Sequence, residues 1–99
     1  MLNPDRVMSL LVKAEDSLSA FVNSLVGDEV YKLHPKFGIL MEQYRLIREC
    51  DGDSRNPRFP HIPGHGAVAR GLFWDNPESD LEAKCLEDAV CLMEYIKAG

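Results

Sequence analysis

The residues best suited to chemistry lie close together. They run Arg55-Asn56-Pro57-Arg58-Phe59-Pro60-His61-Ile62-Pro63-Gly64-His65-Gly66, with Arg70, Phe73 and Trp74 just beyond. Arginine presents a planar fork that holds a carboxylate or phosphate through two parallel hydrogen bonds. Glycines let backbone N–H groups approach an anion, and histidine exchanges a proton near neutral pH. On these grounds Arg55, Arg58, His61, His65, Arg70 and Trp74 are the candidate ligand- or partner-binding residues. The competing arrangement is simpler and is the one expected: the arginines pair with acids on neighbouring helices, and Phe73 and Trp74 fill space beneath the loop.

Other chemistries fail on spacing. His61 and His65 stand four apart, which binds zinc on a helix, but Pro63 and Gly64 between them oppose a regular helix. No CxxC pair supplies further ligands, so no metal and no cofactor is expected. Cysteine nucleophiles need a thiolate beside a base. Cys85 falls on an apolar stripe, Cys50 at a helix end, and Cys91 on a polar side with Asp88, where carboxylates oppose a thiolate. Pro63-Gly64-His65 is similar to three residues of the signature loop of membrane-type acid phosphatases and vanadium haloperoxidases. The serine before the glycine is missing, as are that family's other motifs. Glu82, Glu87, Asp88 and Glu94 invite comparison with the all-α nucleotide pyrophosphohydrolases, whose carboxylates on adjacent helix turns hold magnesium. The second helix here offers only Glu42 and Glu49, seven apart, and the third scatters its acids over several angles, so the metal cage does not form. No catalytic residue is assigned, and an enzyme is not the expected class.

The charge distribution sets the loop apart. The chain carries −5 overall in 99 residues. Residues 54–74 hold three arginines and no acid, which leaves −8 on the remainder. An acidic body disfavours nucleic acid and anionic membrane as partners. No apolar run reaches the length of a membrane span, and Met1 to Val12 lacks the basic start and cleavage motif of a secretory signal. Three cysteines, an odd number without short spacing, point to reduced thiols in a cytoplasm rather than a disulfide scaffold.

Three amphipathic helices must position the loop. The first is expected over residues 4–26, with Asn3 as cap and Pro4 at its first position. Val7, Leu10, Leu11, Ala14, Leu18, Phe21, Val22 and Leu25 recur at three- and four-residue steps, while Lys13, Asp16, Ser17, Asn23 and Ser24 fall off the stripe. The second is expected over 35–50, restarted by Pro35 and ended by Asp51-Gly52-Asp53. Phe37, Leu40, Met41, Tyr44 and Ile47 form its stripe, with Ile39, Leu46 and Cys50 on a second edge. The third is expected over 77–97, where Asn76-Pro77 and the capping box Ser79-x-x-Glu82 both signal a start. Leu81, Cys85, Ala89, Leu92, Met93 and Ile96 make its stripe, widened by Leu86 and Val90. Asp80, Lys84 and Asp88 read as an outer charge ladder.

These elements predict one all-α domain, a small three-helix bundle. A long Pro/Gly/Arg/His-rich loop over 51–76 is expected to be mostly ordered, with Phe59, Phe73 and Trp74 inward, because so many apolar residues need cover. Without a catalytic constellation, the expected function is protein–protein interaction of a regulatory or inhibitory kind. The alternative is a phosphate or nucleotide ligand bound by loop 54–74, with turnover of that ligand as its enzymatic form. The apolar second edges also predict a homodimer through Ile39, Leu46, Leu86 or Val90.

Overall fold

Three helices, α1 (Pro4–Ser24), α2 (Pro35–Glu49) and α3 (Asp80–Ala98), carry most of the described chain. This computed structural model describes residues 2–25, 35–60 and 79–98, without the side chains of Pro35, Lys36, Phe37 and Ile39. Among the described residues the fold is all-α, with no strand.

Each helix start follows from local chemistry. Asn3 has extended backbone, and its side-chain oxygen accepts the Asp5 N–H at 2.9 Å. Pro4 then occupies a position whose N–H would have no partner inside the helix. The third helix had two overlapping start signals, and the capping box prevails. Ser79 Oγ accepts the Glu82 N–H at 3.2 Å, and the Ser79 carbonyl accepts the Ala83 N–H at 2.9 Å. The helix therefore begins at Asp80 rather than at 77. At the other end of α1, Leu25 has extended backbone, so the helix stops two residues before the expected 26.

α1 is the organising element. The Asn3 N–H donates to the Tyr95 hydroxyl at 3.3 Å, which sets the start of α1 beside the end of α3. Glu15 pairs with Arg48, and Gly52 lies against Pro4. α1 thus runs antiparallel to both neighbours. The core holds Val7, Leu10, Leu11, Ala14, Leu18 and Phe21 of α1, Leu40, Tyr44 and Ile47 of α2, and Cys85, Ala89, Leu92, Met93 and Ile96 of α3. Burying side chains of this kind contributes roughly 1.5–3 kcal/mol for each large aliphatic one.

Three positions depart from the periodic reading. Ser17 was placed off the apolar stripe but is buried, and its hydroxyl is satisfied by the Ala14 carbonyl at 3.0 Å. A small side chain that bonds its own helix can enter a helix interface without leaving a polar group unpaired. Met41 and Leu81 were placed on core stripes yet are 42% and 40% exposed. Each sits at the margin of its stripe, where the neighbouring helix no longer covers it. Asp88, read as part of an outer ladder, has a side chain only 14% exposed, with Lys84 at 3.6 Å.

Candidate functional site

The end of α2 builds the first part of the candidate loop. The Gly52 N–H bonds back to the Ile47 carbonyl at 3.1 Å and the Asp51 N–H to the Arg48 carbonyl at 3.0 Å. This is the Schellman closure of a helix C-terminus, which requires left-handed backbone. Asp51 supplies it at φ 51, and Gly52 follows at φ 72. Glycine at 52 is also a matter of room. A Cβ there would lie 2.7 Å from the Pro4 carbonyl oxygen and 3.1 Å from the Met8 side chain.

Two turns follow, each nucleated by a side-chain carboxylate or amide oxygen. Asp53 Oδ1 accepts the Arg55 N–H at 3.0 Å, and Asn56 Oδ1 accepts the Arg58 N–H at 2.9 Å. The Asn56 N–H reaches the Asp53 carbonyl at 3.1 Å, and the Phe59 N–H reaches the Asn56 carbonyl at 2.9 Å. Asp and Asn favour such turns because their short side chains mimic a backbone carbonyl. The turns carry Phe59 onto the core, half-buried, and bury Pro60.

The same turns decide where two of the candidate arginines go. Arg55 Nε donates to Asp53 Oδ1 at 3.1 Å, and Arg58 Nη2 donates to Glu49 Oε2 on α2 at 2.9 Å. Glu49 also accepts from Arg45, which is bound in turn to Glu42. A chain of alternating charge, Glu42, Arg45, Glu49 and Arg58, therefore runs along the outer face of α2. The Arg55 backbone N–H, and then its side chain, hold the Asp53 carboxyl below its ordinary range. The Arg45 hydrogen bond does the same for Glu42, and bonding to Glu42 raises Arg45 further. These groups face water, which screens their attraction, so the network orients the turn more than it stabilises the fold. The side chains of Arg55 and Arg58 stay 76% and 70% exposed while paired. His61, His65, Arg70 and Trp74 lie outside the described residues, as does loop 61–76 generally.

A second feature escaped the periodic reading. Between α1 and α2 lies a cleft of about 400 Å³. Leu18, Val22, Met41 and Tyr44 form its apolar part, and Glu15, Ser19, Asn23, Arg45 and Arg48 its polar edge. Arg48 grips Glu15 through Nε and Nη2, and that bonding raises its pKa further. The clue in the sequence was Met41 followed at helical steps by Arg45 and Arg48, which joins a stripe residue to a charged flank. Along the opposite side of α1, at its seam with α3, a cleft of about 520 Å³ is mostly charged, with Arg6 and Lys13 facing Glu87, Asp88 and Glu94.

Two polar atoms on α2 are buried without a hydrogen-bond partner, Gln43 Oε1 and Tyr44 Oη. Burial, reinforced by Cys85, Asp88 and Glu15, pushes the Tyr44 hydroxyl far above the usual phenol range. Burial likewise pushes the Cys85 thiol up to about 11, with Asp88 and Glu82 adding to the effect. Cys85 is a buried free thiol and Cys91 an exposed one, as their helical positions implied, and Cys50 at the end of α2 is buried as well. Among the described residues no group of His, Cys, Asp and Glu could hold a metal ion. No helix among them is long and apolar enough to cross a membrane. The expected dimer residues Leu46, Leu86 and Val90 are partly buried, and the Ile39 side chain lies outside the described residues.

No family model, curated protein or solved structure matches this chain.

Proposed function

We propose that this protein acts by binding another protein, as a small regulatory or inhibitory helical module that needs no cofactor and works in the reducing cytoplasm. The observation that carries the reading is the α1–α2 cleft, where the exposed Met41 sits beside Leu18, Val22 and Tyr44 with Glu15, Arg45 and Arg48 at the edge. A groove between two helices, apolar at its base and charged at its rim, suits an amphipathic helix laid along it. Methionine adapts its shape to such contacts. The test is cross-linking in cells, identification of the bound protein, and titration of the purified pair. Met41→Glu should keep the helical circular-dichroism spectrum and weaken that pair at least tenfold. Binding unchanged by Met41→Glu would remove the cleft from the proposal.

The alternative reading, a phosphate or nucleotide ligand at loop 54–74, draws on the exposed side chains of Arg55 and Arg58. Each already stands beside a carboxylate, Asp53 or Glu49, whose negative charge opposes an anion there, which favours the protein-binding reading. A melting temperature raised by nucleotides or inorganic phosphate would reverse that preference. Self-association through Ile39, Leu46, Leu86 or Val90 remains part of the proposal, and light scattering that reports a monomer at high concentration would remove it.

A further inference from the structure

We draw no further inference here: the strongest candidate, the cleft between α1 and α2 around Leu18, Val22, Met41 and Tyr44, belongs to the site already described, and nothing in the structure shows what covers it.

Discussion

α1 meets its two neighbours in different ways. α1 and α3 together bury four small residues, Ala14, Ser17, Cys85 and Ala89, among larger ones such as Leu92, Met93 and Ile96. Small side chains let two helices approach closely, and α1 makes its most extensive contact with α3. Toward α2 the buried residues are Leu18, Leu40, Tyr44 and Ile47. The contact there is less extensive, and a cleft lined by Leu18, Val22, Met41 and Tyr44 opens beside it. Among the described residues, the two buried polar atoms without a partner also belong to α2. α3 is therefore the more extensively joined neighbour of α1, and α2 is attached over a smaller area, through apolar contact, the Glu15–Arg48 pair and the Gly52 turn. Protein interiors tolerate little loss of packing, so mutations on the two sides should behave differently.

The largest effect tests that difference directly. Leu92→Ala and Leu40→Ala each remove a fully buried side chain, a change that costs about 2–5 kcal/mol depending on how far the site collapses. Leu92 should fall toward the upper end. Leu40, near a cleft into which neighbours can relax, should fall toward the lower end. Urea unfolding of both variants measures the gap, and equal losses would break the distinction. Next comes Gly52→Ala. It places a Cβ 2.7 Å from the Pro4 carbonyl oxygen at φ 72, and should lose about 2 kcal/mol through strain and clash. A neutral result would mean that α1 and the turn separate readily.

Tyr44→Phe runs in the opposite direction. Removing a buried hydroxyl that has no partner should raise stability by about 1 kcal/mol, provided the ring keeps its place. A loss of stability would reveal a partner for the hydroxyl, and α2 would then be better fitted than described. Arg48→Gln should be milder, below about 1 kcal/mol, because its pair with Glu15 is half exposed and screened by salt.

The smallest effects concern the thiols. A thiol reagent should modify Cys91 at once, and Cys50 and Cys85 only as the protein unfolds, because those two are buried. The sign of the pH dependence follows from the raised Cys85 value. Below 9, the ordinary value of a cysteine, the thiol is neutral in both states and its contribution is fully present. Above that the unfolded chain ionises first, so stability falls between 9 and about 11, then levels. Tyr44, also raised, acts in the same sense at higher pH. Cys85→Ala, compared over this range by thermal melting, should flatten the first part of the decline.

The scaffold was largely legible in the sequence because its signals are local and repeat. The core positions Leu11, Ala14, Leu18, Phe21, Leu40, Tyr44, Ile47, Cys85, Ala89, Leu92 and Ile96 follow from a 3.6-residue period alone. The start of α3 was misplaced by three residues because two valid signals overlapped, and the choice between them depended on the hydrogen bond from the Glu82 N–H to Ser79. The pairing of Arg58 with Glu49 was legible only as one of two outcomes, since the turn geometry at Asp53 and Asn56 fixes which acid the arginine reaches. The α1–α2 cleft was legible only in part of its lining, through Met41, Arg45 and Arg48, and not as an opening. It depends on how far apart two helix axes lie, which the pattern along either helix does not encode.

The bond between Asn3 and Tyr95 spans 92 positions, and it has a bearing on how the chain is made. A bundle whose main seam joins neighbouring helices can assemble as it emerges from the ribosome. Here α1 makes its main contact with the helix that appears last among the three. At synthesis rates of about 5–20 residues per second, the apolar stripe of α1 waits several seconds for α3. During that interval α2 is the one other helix among the described residues that can cover it, and a chaperone that shields exposed apolar helices would find its binding site at Val7 to Phe21.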